Sequence, residues 1–334
     1  MTSRSRVLVL GAGAWGSALA IHLARQPHDV VLWGHCPEEI NVLQKTHYNP
    51  PYLPDILFPR NIQFTSDLAH AFQLAGKDAN VLVVVPSFAF DETTQRIAPF
   101  LNNSDGVIWA TKGLSEQGEF LHSICEKNLG ERPMAVLSGP SFAKEVALQM
   151  PTAVTIAANN QTFAQHLSKL FHHEKFRIYL SNDMIGVQLG GAIKNVLAIA
   201  VGMSDGLGFG ANARSALITR GLAELCRLGE KLGAQLPTLM GLAGVGDMVL
   251  TCTDNQSRNR RFGMALGQGQ DAQQALQSIG QVVEGYQNVK QVKKLLLDHQ
   301  VDMPICEQVY AVLFERVPVA QAVQNILARQ PKLE

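Results

Sequence analysis

The chain has few cysteines, no net charge and no apolar run where a leader would sit. Its five cysteines, Cys36, Cys125, Cys226, Cys252 and Cys306, are scattered, odd in number and lack any C-x-x-C spacing. Disulfide scaffolds and zinc ribbons need clustered cysteines, so reduced thiols in a cytoplasmic protein are expected. No histidine–carboxylate group has ligand spacing, so no metal is expected. Lys plus Arg and Asp plus Glu number 28 each, whereas a nucleic-acid or anionic-membrane partner asks for a positive excess. Only four strongly apolar residues precede Gly11, too few for a signal-peptide core. Charged residues make up only 17% and hydrophobic ones 46%, a balance that favours packed interiors over disorder.

What is present divides into two parts. A length of 334 residues suggests two domains, and the pattern changes near Asn182. Before it, short β-branched runs alternate with helix-period segments. Strands are expected at Val7–Leu10, Val30–Trp33, Val81–Val85, Gly106–Ala110, Ala135–Leu137 and Ala153–Ile156. The continuous apolar character of Val81–Val85 suits a parallel strand covered on both faces. The fold class is therefore α/β, with a doubly wound Rossmann-type dinucleotide domain over 1–182. From 183 to 334 the pattern is helical, giving an all-helical substrate domain; one of its expected helices runs from Leu239 to Thr251. The apolar stretch from Ile185 to Met203 could span a membrane by length. It carries Lys194, however, and a mid-helix lysine is costly in lipid, so a buried helix without membrane insertion is expected.

Gly11-Ala12-Gly13-Ala14-Trp15-Gly16 follows a strand and opens a helix. Gly11 permits the tight turn, Gly13 lets a pyrophosphate approach the backbone, and Gly16 lets helix and strand pack closely. The helix start then offers unpaired amides and a positive dipole end to phosphate. A G-x-G-x-x-G alone is weak, but this context strengthens it. The acidic residue expected at the end of the second strand is missing, because that stretch reads Trp33-Gly34-His35-Cys36-Pro37. Without a carboxylate to repel a 2′-phosphate, NADP is the expected preference, with NAD also accepted. His35 either contacts that phosphate or the adenine, or is an exposed loop histidine.

Other residues point at the crevice beyond the carboxyl ends of the strands. Lys112, in Thr111-Lys112-Gly113, is placed to project over it, and Ser138-Gly139-Pro140-Ser141 offers amides and hydroxyls. Lys194 is the sharpest signal, an ammonium within Gly190-Gly191-Ala192-Ile193-Lys194-Asn195-Val196. Burial is expensive unless the charge is paired or given a task. Desolvation moves a lysine toward neutrality, which suits proton exchange with a substrate oxygen. The alternative, a lysine snorkelling to the surface, fits its apolar neighbours poorly. Asp247 and Thr251 share a helix face; they orient Lys194, bind a substrate hydroxyl, or Asp247 is simply a helix-start residue. Ser257 reads as an N-cap, with Arg258 and Asn259 in the first turn. Arginine is disfavoured at that positive end unless an anion is bound, so one of Arg258, Arg260 and Arg261 is expected to hold phosphate while the others face solvent.

These motifs resemble the bacterial NAD(P)-dependent sn-glycerol-3-phosphate dehydrogenase family over nearly the whole chain. The likeness runs from the glycine loop through Trp-Ala-Thr-Lys-Gly, Ser-Gly-Pro-Ser-Phe-Ala-Lys-Glu, Gly-Gly-Ala-Ile-Lys-Asn and Gly-Phe-Gly-Ala-Asn. It continues through Leu-Thr-Cys-Thr and Asn-Gln-Ser-Arg-Asn to Gln-Val-Val-Glu-Gly. The resemblance implies reduction of dihydroxyacetone phosphate to glycerol 3-phosphate for phospholipid synthesis by a homodimer. It makes Lys194 the proton donor and acceptor, and Lys112, Gly139, Ser141, Asp247, Ser257, Arg258 and Asn259 substrate contacts. Ala14, Trp15, His35, Lys112, Ala143, Arg258, Val282 and Glu284 become cofactor contacts, beside Gly11, Gly13 and Gly16. Family members often carry Ser where Ala14 stands and Thr where Ser141 stands, so at Ala14 only a backbone contact is expected. In the mechanism this implies, Asp247 and Asn195 hold the Lys194 ammonium. Related β-hydroxyacid dehydrogenases share a lysine beside an asparagine but lack the Asn-Gln-Ser-Arg-Asn loop, and a non-catalytic NADP sensor has no reason to bury Lys194.

Overall fold

A computed structural model describes residues 4–328, except for the side chain of Leu327. The chain forms two compact units. The first holds the described residues up to Lys112 together with Leu121–Met184; the second holds Gly113–Phe120 and the described residues from Ile185 onward.

The first unit is built on eight strands: β1 (Arg6–Leu10), β2 (Asp29–Trp33), β3 (Ile62–Thr65), β4 (Asn80–Val83), β5 (Val107–Trp109), β6 (Met134–Ser138), β7 (Thr152–Ala158) and β8 (Phe176–Ser181). They lie in the order β3-β2-β1-β4-β5-β6-β7-β8. Every neighbouring pair is parallel except β6 and β7, which are antiparallel. Helices α1 (Ala14–Ala24), α2 (Pro37–Thr46), α3 (Leu68–Ala75), α4 (Phe90–Ile97), α5 (Leu121–Leu129), α6 (Ala143–Ala147) and α7 (Gln161–Phe171) complete the unit. Val7–Leu10 of β1 are fully buried, as a central strand covered on both faces requires. The strand order reverses between β1 and β4, which makes that edge the topological switch point where such sheets bind ligands. Leu10 is level with Trp33 and with Val83, so the loops after β1, β2 and β4 leave the sheet side by side. Because β7 runs back against β6, the segment between them stays on this same edge instead of crossing to the far one.

Two strands, β3 and β8, go beyond those expected from sequence, and both are sheet edges. Ile62-Gln63-Phe64-Thr65 is a short run with an exposed Gln63, and β8 exposes Tyr179 and Leu180. Neither has the continuous apolar run that marks the interior strands.

The second unit is helical among its described residues: α8 (Met184–Gly206), α9 (Ala211–Leu232), α10 (Leu236–Leu239), α11 (Asp247–Thr253), α12 (Arg258–Gly267), α13 (Ala272–Ile279), α14 (Glu284–His299), α15 (Pro304–Phe314) and α16 (Val319–Leu327). Helix α8 is long and apolar enough to cross a membrane, but 89% of its most apolar window is buried inside the protein. Its Leu189, Ile193, Val196, Leu197 and Ile199 form the centre of the second core. Gly202 and Gly206 of α8 lie against Gly263 and Gly267 of α12 so closely that a β-carbon at any of the four would collide with the opposite backbone. The expected single helix from Leu239 to Thr251 is instead α10, a π-helical turn at Leu242–Gly246, and α11. The π turn lies where the Ala243 carbonyl presses against Gly190 of α8.

Candidate functional site

In the first unit the site grows from the glycine loop. Gly11 has φ +122°, and a β-carbon there would lie 2.5 Å from the Val84 carbonyl oxygen. A β-carbon on Gly16 would strike the Gly11 carbonyl, so that glycine lets α1 start directly against the loop. Gly13 differs, since beyond its own stretch of chain none of the described residues lies within 4 Å of where its β-carbon would be. It is the N-cap of α1 and has no side-chain cap, so the first-turn amides face open space at the positive end of the helix. That cradle fits a pyrophosphate.

Three further loops meet this one. The Thr111 hydroxyl donates to the Val85 carbonyl at 2.7 Å, tying the β5 loop to the β4 loop. Next to it, the Lys112 ammonium donates to the Gly139 carbonyl at 3.0 Å and stands 6.0 Å from the centre of the Trp15 ring. The Ser141 hydroxyl donates to the same carbonyl at 2.9 Å. Gly139 holds φ +140°, a backbone conformation that favours glycine. The structure thus brings Trp15, Lys112, Gly139 and Ser141 together. Ala14 opens α1 and Ala143 opens α6. His35 is exposed just beyond β2, whose end carries no carboxylate. Glu38, in the first turn of α2, accepts from the Cys36 thiol at 3.2 Å.

In the second unit Lys194 is buried, and its side chain is only 8% exposed. Its ammonium lies 2.5 Å from an Asp247 carboxylate oxygen and donates to the Thr251 hydroxyl at 3.2 Å. Thr251 in turn donates to the Asp247 carbonyl at 2.6 Å. Asp247 is therefore the counter-charge of Lys194, which is the first of the alternatives left by spacing; it is not simply a helix-start residue, because the π-helical turn runs directly into α11 ahead of it. The pairing provides what a buried ammonium requires. Asn195 does not hold the ammonium; its side-chain oxygen accepts from Asn259 at 2.9 Å, because the next residue along a helix faces about 100° away.

Ser257 caps α12, its hydroxyl accepting from the Arg260 amide at 3.2 Å. Arg258 is the first helical residue and half-buried. Asn259 is buried, and its side-chain oxygen accepts from the Gly285 amide at 2.9 Å. It therefore links the start of α12 to α8 and to the start of α14, where Glu284 is the first residue. Val282 is exposed just before that helix. The expectation that the remaining arginines face solvent holds for Arg261 but not for Arg260. Arg260 is buried, pairs with Asp205 at 2.5 Å and donates to the Asn255 side chain. Sequence reasoning also missed Asp205, although an ionisable residue in the apolar α8 is the same signal that exposed Lys194.

No group of three or more His, Cys, Asp or Glu among the described residues is arranged to hold a metal ion. The machinery on display is thus an anion-ready glycine loop with a lysine beside it, and a buried lysine–aspartate pair with an arginine-bearing helix start.

Comparisons with known proteins agree with this pattern. Residues 6–164 match the family model for the N-terminus of NAD-dependent glycerol-3-phosphate dehydrogenase, and residues 183–324 match that for its C-terminus. The NAD(P)+ glycerol-3-phosphate dehydrogenase of Shigella boydii serotype 18 is 54% identical over 329 residues, covering 98% of this chain and 96% of its own. That of Mannheimia succiniciproducens is 53% identical over 333 residues, covering 99% and 98%. The crystal structure of glycerol-3-phosphate dehydrogenase from Coxiella burnetii superposes with a TM-score of 0.94 at 47% identity, covering 97% of this chain and 99% of that one. With both family models and full-length relatives in agreement, the chain belongs to the NAD-dependent glycerol-3-phosphate dehydrogenase family.

Proposed function

We propose that this chain catalyses the reversible NAD(P)H-dependent reduction of dihydroxyacetone phosphate to sn-glycerol 3-phosphate. The observation that carries the chemistry is the buried Lys194–Asp247 pair, at 2.5 Å. In this reading the part of the chain over 1–182 holds the dinucleotide and that over 183–334 the substrate, although the compact units divide differently: Gly113–Phe120 belongs to the second unit, and Asp183 and Met184 to the first. Gly11, Gly13, Gly16 and the amides of Ala14 and Trp15 bind the pyrophosphate. His35, with no carboxylate at the end of β2 itself and the Glu38 carboxylate engaged by the Cys36 thiol, favours NADP while NAD is still accepted. Ala143, Val282 and Glu284 complete the cofactor contacts.

When bound, the reduced nicotinamide supplies the hydride to C2 of the substrate. Negative charge then grows on the C2 oxygen, where a positioned cation is worth most. Lys194 gives that oxygen its proton, and in reverse takes one from the C2 hydroxyl. Asp247 and Thr251 hold the ammonium in one place. Lys112, anchored on the Gly139 carbonyl, adds a second positive charge, and Ser141 beside it offers a hydroxyl. Arg258 reads the phosphate in charge-assisted contacts with the first-turn amides of α12, capped by Ser257. Asn259 takes part through its backbone, since its side chain is engaged with Asn195 and Gly285. A homodimer in the cytoplasm supplying phospholipid synthesis belongs to the same reading.

A steady-state assay with dihydroxyacetone phosphate, run with NADPH and then NADH and followed by nicotinamide absorbance, tests the activity. Turnover is expected with both, NADPH giving the higher kcat/KM. Lys194→Met is expected to lose at least about 10²–10⁴-fold in kcat, the usual range for a general acid, while cofactor binding survives. No turnover of dihydroxyacetone phosphate by the wild-type protein overturns the substrate, and near-normal rates in Lys194→Met overturn the role of the lysine.

A further inference from the structure

Asp205 lies near the end of α8, and its carboxylate is only 5% exposed. Two guanidinium groups converge on it. Arg214, in the first turn of α9, makes a forked contact at 3.0 and 3.2 Å, and Arg260 of α12 approaches to 2.5 Å. The Arg260 side chain is 7% exposed. Its other terminal nitrogen donates to the side chain of Asn255, in the loop that leads to α12. Arg260 therefore joins the end of α8 to the loop from the inside. The same loop is braced by the Asp254 carboxylate, which accepts from the Gln256 amide at 2.7 Å, and by the Ser257 cap.

Burying the Asp205–Arg260 pair, with the Arg214 guanidinium only partly covered beside it, is a poor way to gain stability alone, because apolar residues of similar volume often do as well or better. The arrangement makes sense as positioning. Arg260 sits two residues beyond Arg258, in the same first turn. Turned toward Asp205, it is committed to protein, which leaves Arg258 and the helix-start amides to meet the anion. We infer that Asp205 is a positioning residue for substrate phosphate, acting through Arg260 and Asn255 to fix the loop and helix start that carry Arg258. The inference rests on the proposed substrate and on the role given there to Arg258.

The test compares Asp205→Asn with the wild-type protein on dihydroxyacetone phosphate and on dihydroxyacetone, which lacks the phosphate. The expected result is a rise of about tenfold or more in KM for the phosphorylated substrate, with kcat within threefold of wild type and kcat/KM on dihydroxyacetone unchanged. A charge effect alone would act in the opposite direction, because freeing Arg260 adds positive charge near the anion and lowers KM. An unchanged or lowered KM therefore overturns the inference, and so does an equal loss on both substrates, which is what a merely structural role produces. Asn255→Ala removes the exposed end of the same link without uncovering a buried charge. It keeps the experiment decisive if Asp205→Asn does not fold; KM is expected to rise about threefold, and no rise overturns the inference. If wild-type protein fails to reduce dihydroxyacetone phosphate at all, it is the proposed function that falls.

Discussion

Replacing Lys194 and Asp247 singly and together separates what their pair does for stability from what it does for chemistry. The two side chains are 8% and 1% exposed and 2.5 Å apart. Lys194→Met strands a carboxylate in the core, and removing one member of a buried pair typically costs about 3–5 kcal/mol. Lys194→Met with Asp247→Leu leaves neither charge. The Thr251 hydroxyl stays satisfied in the double variant, because it donates to the backbone carbonyl of residue 247. The double variant is therefore expected to recover all but about 1 kcal/mol. With a urea slope of about 2–3 kcal/mol/M, the single variant lowers the unfolding midpoint by about 1–2 M and the double variant restores it. Unfolding is followed by far-UV circular dichroism, since all three tryptophans, Trp15, Trp33 and Trp109, lie in the first unit and report on that unit. Both variants are expected to be inactive. A double variant no more stable than the single one would refute the reasoning, because the pair would then be a net source of stability.

Two buried titrations are expected to act in opposite directions in the two units. Burial depresses His22 from 6.5 to about 4, against its hydrogen bond to the Phe171 carbonyl. The native first unit thus binds fewer protons than the unfolded chain between those values; stability is complete above pH 6.5 and falls by up to about 1.4 kcal/mol per pH unit as pH drops toward 4. His22→Gln should flatten the tryptophan-detected stability profile in that window, and parallel profiles would count against the assignment. Burial raises Glu224 from 4.5 to about 7, against the amides of Ile305 and Cys306. Here the native state holds the extra proton, so stability is complete below pH 4.5 and is lost as pH rises through 7. Glu224→Gln is expected to be more stable than wild type at pH 8 by up to about 3 kcal/mol in urea unfolding, less the hydrogen bond that one of the two amides loses, and no gain at that pH would show that the carboxyl ionises freely in the fold.

The two-part plan, the interior strands and the glycine loop were legible because each rests on a local pattern. A continuous run such as Val81–Val85 marks a central strand, and glycines at three set positions mark a turn against a helix. β3 and β8 escaped because an edge strand buries only part of its surface and leaves a mixed pattern. The reversal of β7 was also invisible, since parallel and antiparallel partners ask for much the same residues here. Lys194 stood out as a charge among apolar neighbours, but its partner was only one of several candidates. The approach of Asp247 depends on the π turn, which in turn depends on how closely Ala243 can come to Gly190. The links from Asn259 to Asn195 and Gly285, and from Arg260 to Asp205, join segments 26 to 64 residues apart, beyond the reach of any local periodicity.

The bare crossing of α8 and α12 has a mechanical consequence. With peptide groups touching at four glycines and no side chains between them to act as a cushion, neither helix can slide or roll without prising the other away. Any rearrangement of the second unit must therefore carry the Lys194 helix and the Arg258 helix as a single stiff part. The spacing between those two helix backbones is thus set when the chain folds, and a ligand is left to adjust side chains alone.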